Sequence, residues 1–213
     1  MRTWVVLAVV LTPVLATASC TSHSNLHAAA NPTTATGAGT TGAGTTSTTV
    51  AMQRFPSGQD IGLGFDHPRA WREFQFTRIS DSSSLIVYLS NAALRDPCTK
   101  TTSAAGETTT CGEPLTALGP NGVLVSWSDI GYPGPGPMPA HPNTTVDGKP
   151  AEIVVTKPGD CARLGAAETL VADIARPAFA NNYYEMVACI RGPAVGAQER
   201  LVRAMLESTR ITG

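Results

Sequence analysis

Charge is scarce in this chain. Asp, Glu, Lys and Arg make up 15% of 213 residues, and Lys+Arg 15 offset Asp+Glu 16 to a net charge of -1. No strongly basic face follows, which argues against nucleic acid as a partner and against an electrostatic hold on anionic lipid. Catalytic signatures are missing as well: there is no G-x-S-x-G elbow, no H-E-x-x-H, no P-loop and no G-x-G-x-x-G beside a strand. Gly37-Ala38-Gly39 stands outside any strand-to-helix context. The acid pairs Asp60 with Asp66 and Asp81 with Asp96 read as solvated surface. No C-x-x-C occurs and His67 and His141 are not at ligand spacing, so neither a metal set nor a cofactor site is expected. His23 and His27 read as inert. The expectation is a non-enzymatic chain; a hydrolase of unrecognised type would need His67 or His141 as its base.

Long apolar runs are absent after the first 20 residues. Within them, Arg2 precedes an apolar stretch from Trp4 to Ala16, then small residues and a cysteine. The stretch is short of the roughly 20 residues that span a bilayer and reads as the h-region of a secretory signal over residues 1–19. Thr17, Ala18, Ser19 and Cys20 resemble the bacterial lipobox, in which the cysteine thiol receives a diacylglycerol and becomes the new N-terminus; Thr17 replaces the usual leucine. The resemblance implies a protein lipidated at Cys20 and anchored to the cell membrane on its extracytoplasmic face.

Residues 20–53 read as a lipidated cysteine and tether. Thr21 to Met52 is rich in Thr, Gly and Ala, has no apolar periodicity and is too polar to offset its ordering entropy. Its end-to-end distance would be roughly 30 Å. Beyond it, residues 54–213 form one domain. Four cysteines remain, an even number for an oxidising compartment, and allow three pairings. Cys98 and Cys111 flank a polar Thr-rich segment and suit a local bridge, worth roughly 3 kcal/mol by loop entropy. Cys161 with Cys189 follows.

Period-2 alternation marks strands at Gln59 to Asp66, around Phe74 and Phe76, at Leu85 to Ser90 and at Gly122 to Asp129. The first two are expected to pair. Gly131 to Pro142, dominated by Pro and Gly, reads as an exposed loop. Asp147-Gly148 is a turn signal between Thr144 to Val146 and Ala151 to Lys157. Glu168 to Arg176 and Asn182 to Arg191 form a final hairpin, with Tyr184, Met186, Ala188 and Ile190 on one face. Leu201, Val202, Met205 and Leu206 then make one stripe on a helix from Val195 to Ser208. The fold class is α+β: an antiparallel sheet of about six to seven strands covered by a C-terminal amphipathic helix.

Phe65, Pro68 and Trp71, the middle hairpins, and a last helix ending Met205 to Thr209 resemble the PsbP-like fold, which several actinobacterial surface lipoproteins have. Tyr88 to Leu94, Gly122 to Trp127 and Tyr184 to Pro193 are similar to blocks of uncharacterised lipoproteins of that group. The resemblance covers about Ile61 to Thr209, without the long middle helix of some relatives. It implies binding to or assembly with other proteins, and it carries over no catalytic residue.

Trp71 is expected to seal the core. Trp127, Asp129, Tyr132, Tyr183, Tyr184 and Arg191 are the candidate recognition surface, weighed against core packing. The leading expectation is a module that binds an envelope protein or component. The alternative is a small-ligand sensor or carrier, with a cavity between sheet and helix lined by Leu201, Met205 and Trp127.

Overall fold

The computed structural model describes residues 49–56, 62–79, 83–104, 106–131, 138–176 and 181–212. All of them belong to the compact unit Ser47–Gly213. The signal segment, Cys20 and the tether up to residue 48 lie outside the described residues. In chain order the strands are β1 (Met52–Phe55), β2 (Leu63–Pro68), β3 (Arg72–Ile79), β4 (Ser83–Ser90), β5 (Cys98–Ser103), β6 (Gly106–Cys111), β7 (Val123–Gly131), β8 (Thr144–Val146), β9 (Lys149–Thr156), β10 (Glu168–Ala175) and β11 (Asn182–Ile190). A short 3₁₀ turn spans Gly159–Leu164 before β10, and helix α1 (Val195–Ser208) and β12 (Arg210–Ile211) close the chain.

Seven strands form the main antiparallel sheet in the order β3-β4-β7-β11-β10-β9-β8. A small antiparallel sheet, β1-β2-β12, lies apart from it in the ladder. Period-2 alternation sends Val123, Val125 and Trp127 of β7, Leu170, Ala172 and Ile174 of β10, and Tyr184, Met186, Ala188 and Ile190 of β11 to one face, all fully or almost fully buried. We call that face inner. Val202, Met205 and Leu206 of α1 pack onto it together with Phe55, Leu63 and Phe65 of the small sheet. The aromatic rings run through this core as a stack: Phe55 lies 4.9 Å from Phe65, and Phe65 lies 5.0 Å from Trp127. Such offset contacts add to the area term because ring quadrupoles favour them over a loose fit.

Helix α1 is held at both ends by polar contacts that the loops supply. Its N-cap residue Ala194 has no capping side chain, and the Ala194 N–H donates instead to Asn121 Oδ1 at 3.1 Å. Gly192 makes that approach possible: its φ is +99°, and a Cβ there would stand 2.5 Å from the Asn121 nitrogen. At the other end Ser208 Oγ donates to the Met205 carbonyl and accepts from the Asp66 N–H, tying the helix to β2.

Several expectations need correction. β2 pairs with β1 and β12 and not with β3, because after Pro68 the chain turns through a Trp71 N–H to Pro68 carbonyl bond and enters the other sheet. Met52 and Gln53, assigned to the tether, are already in β1, which moves the start of the folded unit from residue 54 to 52 or before. Cys98 to Cys111 is no loop: β5 and β6 form a two-stranded hairpin whose first pair, Cys98 opposite Cys111, carries the disulfide. Pro139, in the segment read as an exposed loop, is buried; residues 132–137 of that segment lie outside the described residues. Cys161 is bonded to Cys189. The turn at Asp147-Gly148, with both φ values positive, and the helix Val195–Ser208 are as the sequence indicates.

Candidate functional site

The outer face of the main sheet is built by the residues between the core positions, and the pairing registers place them in rows. Val154, Val171, Val187, Ser126, Tyr88 and Phe74 are successive partners across β9, β10, β11, β7, β4 and β3. This row is apolar except for Ser126, and Val154 is 42% exposed. Two residues along each strand, Glu152, Asp173, Glu185 and Ser128 form the next row across β9, β10, β11 and β7. Three carboxylates thus stand directly opposite one another, an arrangement that disfavours the sheet by like-charge repulsion.

One end of this face is covered. The 3₁₀ turn is pinned there by the disulfide to Cys189 and by Thr169 Oγ1, which donates to the Pro158 carbonyl at 2.6 Å. Leu118, Leu124, Leu164 and Ala166 bury themselves around it. Between this turn, the end of β6 and the open strands runs a groove of about 580 Å³, floored by Tyr88, Val171, Glu185 and Val187 and walled by Glu113 and Arg163. Arg163 pairs with Glu113 on that wall, and Asp160 adds another acid. The groove therefore has a mixed floor, apolar but for Glu185 and Ser126, and a side that carries the Arg163–Glu113 pair and Asp160.

Burial shapes the charge here. Desolvation, then Glu185, then Glu152 push the Asp173 carboxyl up to about 6. Desolvation also raises Glu185, and desolvation followed by the Glu113 charge raises Tyr88. Asp173 Oδ1 is shielded from solvent and accepts no hydrogen bond. Among the described residues no three His, Cys, Asp or Glu converge closely enough to hold a metal ion.

The expected recognition residues do not come together on this face. Trp127 is fully buried, with its Nε1 donating to Met205 Sδ at 3.3 Å. Trp127 and Met205, which the alternative reading gives its cavity, are thereby in contact, and a pocket of about 340 Å³ opens between α1 and β8-β9 at Ile153, Arg203 and Leu206. Tyr184 is 1% exposed on the inner face, where burial raises its pKa, and Arg176 lies 5.6 Å over its ring. Asp129, opposite Tyr184 in register, pairs with the same Arg176. Arg191 lies at the far end of β11 and donates to the Leu118 carbonyl. Tyr132 is outside the described residues. Tyr183 stands on the outer face, part-buried and next to the carboxylate row. His67 is fully buried beside Gln53, Glu73 and the Pro68 carbonyl, and its pKa is lowered by that burial; His141 is exposed.

Sequence reasoning passed over Glu152, Asp173 and Glu185. Each is an acid flanked by apolar residues within its strand, which is the available signal; the register that aligns them is not written in any one strand. No family model, curated protein or solved structure matches the chain.

Proposed function

We propose that this chain is a lipoprotein anchored through Cys20 to the extracytoplasmic face of the cell membrane. Its folded unit, read as a PsbP-like domain, acts as a non-catalytic module that docks an envelope protein or component. The observation that carries this reading is the asymmetry of the main sheet: α1 and the small sheet cover its inner face, while the outer face keeps a part-buried apolar row, with Val154 exposed, and a groove open to solvent. Open apolar surface of this kind is what interaction sites leave on otherwise well-buried domains. Two disulfides suit an oxidising compartment and hold the groove wall without a partner. Among the described residues no helix is long and apolar enough to cross a membrane, so the anchor in this reading is the lipid.

Mass spectrometry of the chain expressed in an actinobacterial host tests the anchor: a diacylated Cys20 at the N-terminus supports it, and an intact or unlipidated terminus removes it. Photo-crosslinkers placed at Tyr183 on the outer face and at Arg203 on α1 test the docking face in intact cells. A specific adduct from position 183 that is missing from position 203 is expected. The reverse pattern would move the interface to the helix side.

A further inference from the structure

The outer face has two parallel features of different chemistry, and together they select a partner. Resting on the reading that this face docks a protein, we infer that its occupant is a basic amphipathic helix of another protein, laid across the strands with its apolar stripe on Val154, Val171 and Val187 and its lysines or arginines on Glu152, Asp173 and Glu185. Spacing favours a helix. Neighbouring strands are about 4.8 Å apart, so the three carboxylates span about 10 Å; helix positions i, i+4 and i+7 span about 10 Å at 1.5 Å per residue. Side chains on one face of an extended strand recur at about 6.7 Å and fall out of step.

Among the described residues the carboxylates have no cation of their own. No ion pair joins Glu152, Asp173 or Glu185 to a described Lys or Arg. Burial leaves both carboxylates poorly hydrated, raising Asp173 to about 6 and raising Glu185 as well, and an incoming ammonium or guanidinium replaces hydration that the fold has removed. In the same row the register places Arg78 three strands beyond Glu185, through Ser128 and Leu85, about 14 Å away. Residues 20–48, 57–61, 80–82, 132–137 and 177–180 contain no Lys or Arg. A second copy is a poor donor too, because the apolar stripe of α1, Val202, Met205 and Leu206, is already buried in its own core.

The test uses the full chain and three synthetic 18-residue helical peptides that share a Leu/Ala stripe and carry Lys, Gln or Glu at the flanking i, i+4 and i+7 positions. Fluorescence anisotropy is expected to show the Lys peptide binding at least tenfold tighter than the Gln peptide, with an affinity that falls as salt rises, and the Glu peptide not binding. Asp173→Asn/Glu185→Gln, which keeps side-chain shape, is expected to erase the Lys preference, and Val187→Arg to abolish binding of all three. Equal binding of Lys and Gln peptides, lost in Val187→Arg, would overturn the cationic partner while leaving the docking face intact. Binding that ignores Val187→Arg, or no binding of the Lys peptide, would overturn the inference; an adduct from position 183 in cells would then still hold the docking face.

Discussion

Asp173→Asn should stabilise this protein at neutral pH, although it alters a residue of the proposed docking face. Asp173 faces Glu152 on one side and Glu185 on the other, and its Oδ1 is shielded without a hydrogen-bond partner. Its carboxyl is held at about 6 against an ordinary 3.8, chiefly by desolvation and then by the two neighbouring acids. A difference of that size disfavours the folded state by about 3 kcal/mol once the group is ionised in both states. The side chain is only part-buried, so water screens the repulsion, and we take about 1 to 2 kcal/mol.

The sign follows from linkage. The folded state binds this proton more tightly than the unfolded chain, so the penalty is absent below pH 4, grows between pH 4 and 6, and is full above 6. Asparagine has no charge to desolvate, and its amide can donate to Glu152 or Glu185. Urea unfolding followed by the fluorescence of the buried Trp71 and Trp127, with disulfides intact, is the assay. At pH 7.5 the variant should gain about 1 to 2 kcal/mol over the parent, and at pH 4.0 the gain should fall by more than half. A variant less stable than the parent at pH 7.5, or one whose gain is the same at both pH values, would refute the electrostatic account of the carboxylate row.

His67 should titrate the other way. Burial lowers its pKa below 6.5, so the stability it contributes is full above pH 6.5 and is lost as pH falls through the folded value; His67→Gln should flatten the decline in urea midpoint between pH 6.5 and 5. Trp127→Ala should destabilise by about 3 to 5 kcal/mol, because it empties one end of the Phe55, Phe65 and Trp127 stack at a fully buried position. Tyr183→Ala, part-buried on the outer face, should cost less than about half of that in the same melt. If the two aromatics behaved alike, the division of the sheet into a core face and a docking face would fail.

Local pattern carried most of the fold because each signal was complete within a few residues. The helix Val195–Ser208 was legible from the spacing of Leu201, Val202, Met205 and Leu206, and the β8-β9 turn from Asp147-Gly148, since 3.6-residue and two-residue periods and left-handed turn positions are properties of neighbouring residues. Pairing was harder. β2 looked like the partner of β3 because it precedes it by four residues, yet its partners are β1 and a two-residue strand about 145 positions away, held there by Ser208. The same limit governs the site. Trp127 and Tyr184 were attractive as recognition residues because aromatics near an acid and an arginine suit an interface, but alternation puts both on the face that α1 and the small sheet cover, and which face is covered is a fact of topology. Glu152, Asp173 and Glu185 lie in three strands with connections of different lengths, and nothing local distinguishes them from acids that point to solvent singly. Register aligns them, and alignment turns three ordinary surface acids into a repulsive row beside an apolar one. A fold free to minimise its own energy has simple ways to break that row, a single Lys or Asn among the three being enough. Its presence on the open face is what a cationic partner would explain, and a variant that gains stability at neutral pH while losing the Lys peptide would connect the two.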